Sequence, residues 1–302
     1  MRIGTRGSKL ALTQAGLVAE LLGAEEVVRI KTSGDGDPPV QPSAADKSRW
    51  VDGLERALAT GEIDLAVHSA KDLPGELADG LALLGAPVRA AVEDVLCGAE
   101  SLEELPAGAR VGTGSVRRAA QLLAAREDLT VLALGGNVDT RLGKLGEEQR
   151  GLHAIVLARA GLVRLGREDE VSGVLDPERF VPSPGQGALA LEGRADDTVT
   201  RAAVEAITDT AALECLLAER ALARALGASC HTPLGAWART VGDGLELRAW
   251  VGLPDGSAWV GDVLEGERGD PEGLGQRVAR RMTAVGAGKL LEDAEEMALE
   301  RA

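Results

Sequence analysis

The chain has 302 residues and a formal net charge of −15, with 45% hydrophobic, 27% charged and only 2% aromatic residues. This length and composition are typical of a folded protein of two or three small domains with a core of Ala, Leu and Val. The scarcity of aromatic rings disfavours binding of single-stranded nucleic acid, which stacks its bases on such rings. The net charge repels polyanions except where basic residues cluster, so a small anionic ligand is favoured over nucleic acid.

The three cysteines, Cys97, Cys215 and Cys230, are far apart and form no CxxC pair. They indicate neither a disulfide framework nor a zinc site, and no other metal site is predicted. The sequence begins without a signal-peptide run, and no segment reaches the length that spans a membrane. We therefore expect a reducing, cytoplasmic setting without membrane contact.

The first motif is Arg2–Leu10, which predicts a short strand, a turn and a helix that Ser8 caps. Free backbone N–H groups at this helix start, together with Arg6, would form an anion site. The alternative is a capped helix with a surface arginine. Further along the chain, the segment Gly36–Ser48 contains three prolines and shows no hydrophobic periodicity. It predicts a long mobile loop of the kind that often covers a site.

The second motif is Asp64–Pro74, in which an apolar strand places Lys71 and Asp72 at its carboxyl end. Ligands of α/β proteins bind at this end of the strands. A carboxylate beside an ammonium group can hold a developing cation and move a proton if burial tunes its pKa. The alternative is a solvated Lys-Asp turn. His68 is expected to be a core histidine, as is His153.

The third motif is Arg110–Arg118, a strand that ends in a Gly-rich turn and opens a helix. Arg117 and Arg118 lie in the first helical turn, where cations oppose the helix dipole. This position favours their use on an anion over a place on the surface. Gly114 would let the backbone approach the ligand closely.

Strand-like and helix-like patterns alternate over the first 210 residues, which favours an α/β fold with mostly parallel sheets. After Thr210 the pattern changes to a helix, three strands joined by Gly-rich turns, and a last helix at Pro271–Val285. This order predicts a small antiparallel α+β domain. Cys230 follows its first helix, and the adjacent His231 leaves open a cysteine hydrolase, although sequence neighbours rarely form a nucleophile–base pair.

Taken together, the motifs resemble the porphobilinogen deaminase (hydroxymethylbilane synthase) family from Arg2 to about Val285. The matching segments, in chain order, are Arg6–Ser8 with Leu10–Leu12, Ala66–Pro74, Val111–Arg118, Gly136–Leu142, Ala160–Gly166, Gly185–Ala188 and Cys230–Gly235. Their common order along the chain is far more specific than any one motif.

The resemblance implies an enzyme with a dipyrromethane cofactor bound covalently through Cys230. Four porphobilinogen molecules are joined head to tail on this primer with loss of ammonia, and hydrolysis releases hydroxymethylbilane. Asp72 matches the acid/base that handles the pyrrole nitrogens, the departing ammonia and the cationic azafulvene. Residues that match cofactor or substrate contacts are Arg6, Ser8, Lys71, Thr113, Ser115, Arg117, Arg118, Arg141 and Arg164. Arginine suits this role because its planar fork pairs bidentately with carboxylates.

The implied fold has two domains like type II periplasmic binding proteins, with mostly parallel sheets, and a small C-terminal α+β domain with an antiparallel sheet. The predicted limits are 1–88 with 185–206, 93–182, and 210–302, the last of which anchors the cofactor. The resemblance also implies a monomer, with porphobilinogen as substrate and a uroporphyrinogen-III synthase as downstream partner.

The sequence departs from the family pattern at several positions. Gly135 replaces the usual arginine, so one carboxylate contact is missing, and Trp50 stands where a stacking phenylalanine is usual. The segment Arg89–Asp94 keeps its outer residues and loses the inner arginine. These changes leave open a second interpretation, a binding-protein-like module that holds an anionic ligand without turnover.

Overall fold

The computed structural model of the chain describes residues 1–24, 26–35, 48–228 and 232–300. Cys230, His231 and residues 36–47 of the predicted loop lie outside the described residues. The strands are β1 Arg2–Thr5, β2 Glu26–Arg29, β3 Leu65–Ser69, β4 Leu81–Gly85, β5 Asp94–Cys97, β6 Arg110–Thr113, β7 Thr130–Ala133, β8 Ala154–Ala158, β9 Gly173–Leu175, β10 Leu189–Arg194, β11 Leu234–Val241, β12 Gly244–Gly252 and β13 Trp259–Glu267. The helices are α1 Lys9–Leu22, α2 Asp52–Ala59, α3 Val116–Ala125, α4 Val138–Leu145, α5 Arg159–Arg164, α6 Thr198–Glu205, α7 Thr210–Ala225, α8 Pro271–Ala284 and α9 Ala287–Glu300.

Two sheets of the described chain share one design. The first has the strand order β2-β1-β3-β10-β4, and the second has the order β7-β6-β8-β5-β9. In the first sheet only β10 runs against the other strands, and in the second only β5 does. The central strands β3 and β8 are buried apolar runs, as expected for strands that are covered on both faces. These sheets confirm the predicted α/β class with mostly parallel strands.

The third sheet, β11-β12-β13, is antiparallel and confirms the predicted C-terminal α+β unit. Its inner face packs against α7, α8 and α9. Along β13 burial alternates from residue to residue, because one face of the sheet is covered more than the other. The expectation that a helix at 271–285 closes the unit was wrong, since α9 follows it over Ala287–Glu300. The predicted domain limits, 1–88 with 185–206, 93–182 and 210–302, stay a prediction.

The chain crosses from the first sheet to the second after β4 and returns before β10. The two crossing segments are bonded to each other, since Ala90 N donates to Gly187 O at 3.1 Å and Arg89 Nε donates to Gln186 O at 2.9 Å. Glu219 of α7 fixes this crossing to the C-terminal unit. Its buried carboxylate accepts hydrogen bonds from both terminal nitrogens of Arg89, from Gly185 N and from Ala238 N.

The crossing sets the two larger sheets on either side of a cleft. The carboxyl ends of β1 and β3 in the first sheet, and of β6 in the second, lead into the motifs that the sequence singled out. Ser8 caps α1 by accepting a hydrogen bond from Ala11 N at 3.2 Å, and Ser115 caps α3 by accepting one from Arg118 N at 3.4 Å. The predicted Ser8 cap is therefore present, and the structure adds the Ser115 cap. In the described part of the chain, no helix combines the length and apolar character needed to cross a membrane.

Candidate active-site cleft

The cleft consists of two adjoining cavities of about 580 and 430 Å³. Both cavities are lined by the same four residues, Trp50, Lys71, Asp72 and Arg141, so they form one continuous space, which we call the cleft. Further predicted site residues on its walls are Arg6, Ser8, Ser115, Arg117 and Arg118. The structure thus brings most of the predicted site residues together from segments far apart in the sequence.

Asp72 lies near the middle of the cleft, at the end of the 3₁₀ turn Ala70–Asp72 that follows β3. The turn is held by Ala70 N, which donates to Ala188 O on the returning segment at 3.1 Å. Asp72 and Lys71 are both half-buried. Burial, and next the charge of Arg118, lower the pKa of the Lys71 ammonium to about 8, although Asp72 and Asp94 oppose this shift. The Lys-Asp pair is therefore a cleft feature and not the solvated turn of the alternative interpretation.

Arg6 and Trp50 form one wall of the cleft. The guanidinium carbon of Arg6 lies 4.2 Å from the centroid of the Trp50 ring, within the range of a cation–π contact. Gly34 lies against the same ring, since a Cβ at that position would come within 2.2 Å of it. Stacking and close packing hold the flat guanidinium of Arg6 in place at the edge of the cleft.

Arg141 of α4 lines both cavities of the cleft, as Asp72 does. Its Nε is buried and has no hydrogen-bond partner among the described residues. Burial and the nearby Arg118 lower the pKa of Arg141, whereas Asp72 raises it. A Cβ on Gly114 would lie 2.7 Å from Leu134 O and 3.2 Å from Arg141 Nη2. The structure therefore shows Gly114 making room for the Arg141 guanidinium, where the sequence had suggested a ligand.

Arg117 and Arg118 line the cleft but are buried and paired with Asp94. Nη2 of Arg117 donates to Asp94 Oδ2 at 2.8 Å, and Nε of Arg118 donates to Asp94 Oδ1 at 2.9 Å. Burial alone would raise the pKa of the Asp94 carboxyl, but both arginines and Gln186 lower it well below its usual range. One carboxylate thus partly neutralises two cations that the sequence had assigned to an external anion alone.

Two predicted site residues lie beside the cleft and not on its described walls. Thr113 is buried, and its hydroxyl accepts a hydrogen bond from Ser115 N at 3.2 Å, so it shapes the turn before α3. Arg164 donates to Gly187 O at 2.7 Å, and burial lowers its pKa to about 10. Both residues support the backbone that frames the cleft.

The described histidines and cysteines make structural contacts. His153 is exposed, and its Nδ1 accepts a hydrogen bond from Arg110 N at 3.1 Å, so the expectation of a core histidine was wrong there. His68 is buried and hydrogen-bonds Glu192 at 2.8 Å, as expected for a core histidine. Burial raises the pKa of the thiols of Cys97 and Cys215 to about 11, so both are protonated at neutral pH. Neither thiol is a nucleophile there.

Gly135, which replaces the usual arginine, has open space around it. A Cβ at this position would meet no described atom within 4 Å. Lys144, on the last turn of α4, donates from Nζ to Gly135 O at 2.9 Å. An ammonium group therefore stands beside the position from which the family arginine is missing.

An α/β chain with Asp72 among several cations in a cleft between two sheets has the arrangement of a protein that acts on small anionic molecules. Family models for porphobilinogen deaminase match most of this chain. The dipyromethane cofactor binding domain matches residues 1–202, and the C-terminal domain matches residues 213–284. The chain therefore belongs to the porphobilinogen deaminase family, which confirms the resemblance found in the sequence.

Curated relatives named porphobilinogen deaminase match over nearly their whole length. The protein of Roseiflexus castenholzii is 43% identical to this chain, and the match covers 96% of this chain and 98% of the relative. The protein of Deinococcus radiodurans is 41% identical, and the match covers 97% of this chain and 98% of the relative. That of Xanthomonas oryzae pv. oryzae is 43% identical, with 96% and 98% covered. These matches do not favour the alternative of a binding module without turnover.

Solved structures of binding proteins show a more distant similarity. The methionine-binding protein MetQ has a TM-score of 0.42 at 16% identity, over 68% of this chain and 89% of its own. A putative methionine-binding lipoprotein of Bacillus subtilis has a TM-score of 0.40 at 12% identity, over 69% and 90%. Because both TM-scores lie below 0.5, the ligands of these proteins do not transfer to this chain.

Replacing Asp94 by Asn should destabilise the protein, because Arg117 and Arg118 would lose the carboxylate that neutralises them. Removing one partner of a buried ion pair costs about 3–5 kcal/mol, and urea unfolding at pH 7 measures this difference. The pKa of Asp94 is depressed in the folded state, so its contribution is present above about pH 4 and fades as the pH falls below that value. The difference between the two proteins should shrink accordingly in acid.

The matched control is Asp128→Asn, which removes an exposed carboxylate paired with Arg126 and should have a much smaller effect. If Asp94→Asn unfolded at the same urea concentration as the parent protein, the buried pair would not hold this wall of the cleft.

Proposed function

We propose that this chain is a transferase that condenses four porphobilinogen molecules head to tail on a Cys-linked dipyrromethane primer, with loss of ammonia at each step, and then releases hydroxymethylbilane by hydrolysis. Family membership over nearly the full length supports this tetrapyrrole-forming function. The observation that carries the proposal is a cleft in which Asp72 lies among Lys71, Arg6 and Arg141.

The residues of the cleft fit a dipyrromethane, whose rings carry acetate and propionate groups. The buried, unpartnered Nε of Arg141 and the mutual repulsion of Arg118 with Lys71 and Arg141 favour an anion there. Arg6, Lys71, Arg141 and Ser115 would hold the carboxylates, and Trp50 would pack against a ring. When bound, the dipyrromethane supplies the free pyrrole carbon at which the first porphobilinogen is joined.

Asp72 is the proposed acid/base. Its carboxylate would stabilise the positive charge that develops on the substrate as the C–N bond to ammonia breaks. After the new C–C bond forms, Asp72 would accept the proton that the pyrrole carbon loses. Its half-buried position raises the strength of these interactions above that in bulk water.

Arg117 and Arg118 would act mainly through their charge. Both lie on the cleft wall, but Asp94 already occupies their hydrogen-bonding groups in part. Two cations and one carboxylate leave a net positive charge behind the cleft, which attracts the substrate carboxylates. Arg164 and Thr113 would support the backbone beside the cleft.

The remaining proposals concern the setting of the enzyme. We propose that it works in the cytoplasm, because its three cysteines form no disulfide-like pattern, and that it is a monomer, as the family resemblance implies. Its product would pass to a uroporphyrinogen-III synthase, because hydroxymethylbilane is a linear chain that another enzyme must close.

Replacing Cys230 by Ser should give a folded protein without the covalent cofactor, because a hydroxyl does not form the thioether. Intact-mass spectrometry of the purified protein should show the mass of the polypeptide alone. Cys215→Ser is the control, and it should keep the adduct because that thiol is buried in the core. An adduct that persists in Cys230→Ser would refute the attachment site.

Replacing Asp72 by Ala should reduce turnover about 10²–10⁴-fold, the usual contribution of a general acid/base. Porphobilinogen consumption measures this loss. The control is Asp79→Ala, which removes an exposed carboxylate from the following turn and should leave turnover unchanged. A rate for Asp72→Ala within about tenfold of the parent would remove Asp72 from the chemistry.

Substrate affinity should fall as the pH rises through about 8, because Lys71 has its pKa there and loses the charge that attracts carboxylates. The Michaelis constant for porphobilinogen should rise between pH 7 and 9. Lys71→Met should abolish this pH step, whereas Lys289→Met, an exposed change on α9, should keep it. A step of equal size in Lys71→Met would assign the titration to another group.

A further inference from the structure

A further cavity of about 270 Å³ is lined by Lys71, Gly75 and Arg220, and we call it the rear chamber. Its walls include Lys71, Pro184, Ala223 and Ala228, which also line the cleft, so the two spaces adjoin. Ala228 precedes Cys230 by two residues, and two residues span at most about 7 Å. The rear chamber therefore borders both the cleft and the start of the anchoring segment.

Arg220 of α7 is the buried cation of the rear chamber. Its residue is only 6% exposed, and its Nη2 donates to Gly75 O at 2.9 Å. Among the described residues, no carboxylate lies within ion-pair distance of its guanidinium. Burial, and next the charge of Arg224, lower the pKa of Arg220 to about 10, whereas Glu192, Glu76 and Glu272 raise it from beyond ion-pair distance.

Arg224, one helical turn later, also lines the rear chamber, but its guanidinium is already paired with carboxylates. Its Nη2 lies 2.7 Å from Glu272 Oε1, and its Nε lies 3.9 Å from Glu76 Oε1. The two arginines share a helix and a cavity, yet only Arg220 keeps a charge without a direct counterion. An anion that entered the chamber would therefore bind to Arg220.

A buried charge without a counterion destabilises a folded protein, and an apolar side chain of similar volume at such a position is often neutral or stabilising. The chain nevertheless has an arginine at this position, beside the site where a polycarboxylate is built. The cost is offset if a carboxylate reaches Arg220 during the reaction cycle. Lys71 would then face one carboxylate on the cleft side and one on the chamber side.

We propose that the rear chamber is a carboxylate subsite, in which Arg220 binds an acetate or propionate arm of the pyrrole chain tethered at Cys230. The inference rests on the proposed function and extends it to the later additions, when rings must make room for incoming substrate. The same carboxylate chemistry is present on free porphobilinogen, and the test below separates these two sources.

The test compares the cofactor-loaded parent protein with Arg220→Met after addition of four equivalents of porphobilinogen. Intact-mass spectrometry measures the fractions of protein that carry one, two, three or four added pyrrole units. In Arg220→Met the fraction with three or four units should fall about tenfold or more, because a buried carboxylate loses its counterion. The first addition and the Michaelis constant should change little. The melting temperature should stay equal or rise.

Arg224→Met is the matched control and should give the parental mass distribution, because Glu272 and Glu76 already neutralise that side chain. Arg220→Lys keeps the charge and should stay close to the parent, which preserves the test if Arg220→Met fails to fold. Loss of the later additions in a folded Arg220→Lys would contradict a charge-based role.

Three other outcomes would overturn the inference. An unchanged mass distribution in Arg220→Met, with a lower melting temperature, would make Arg220 a structural residue that holds Gly75. A raised Michaelis constant with an unchanged distribution would assign the chamber to free substrate. Equal loss at every addition would place Arg220 in the common chemistry. A parent protein that adds no pyrrole units at all would instead contradict the proposed function.

Discussion

The structure depends on one electrostatic constraint, which is that a protein of net charge −15 must hold a ligand that gains carboxylates as it grows. It meets this constraint by gathering Arg6, Lys71, Arg118 and Arg141 around a cleft between two sheets. Burial, and next the charge of Arg118, lower the pKa of both Lys71 and Arg141, so part of the shift comes from repulsion between cations. Each carboxylate that enters relieves part of this repulsion, which favours binding of the ligand.

Two buried carboxylates, neither of which lines the cleft, hold two of its arginines and the crossing segments in place. Asp94 binds Arg117, Arg118 and Gln186, whereas Glu219 binds Arg89 and the backbone of the returning segment. Both networks meet at the crossing between the sheets, because Gln186 also accepts from Arg89 through its carbonyl oxygen. The crossing therefore joins the two walls of the cleft to the C-terminal unit, in which α7 and β11 flank Cys230 in the sequence. A change at either carboxylate should be felt in both the fold and the site.

Much of this architecture could be predicted from the sequence, because apolar runs and helix caps are local signals. The apolar runs Thr130–Leu134 and Ala154–Leu157 predict strands, and β7 and β8 are found there. The patterns at Leu10–Leu22 and Val116–Arg126 predict helices, and α1 and α3 are found there. Strands β4 and β5 and helix α9 were not predicted, since short runs next to polar residues carry little periodicity. The residues proposed for the site could be named from motifs, but their structural partners could not. Nothing in the sequence showed that Asp94 would pair with Arg117 and Arg118, or that Gly114 would make room for Arg141, because these contacts join distant segments.

The most direct test of the account is a crystal structure of the protein loaded with its pyrrole chain. The account predicts that the chain lies in the cleft, with ring carboxylates within about 3.2 Å of nitrogen atoms of Arg6, Lys71 or Arg141, and with pyrrole nitrogens facing the Asp72 carboxylate. A chain that lay outside the cleft, or whose nitrogens were out of hydrogen-bond reach of Asp72, would contradict it.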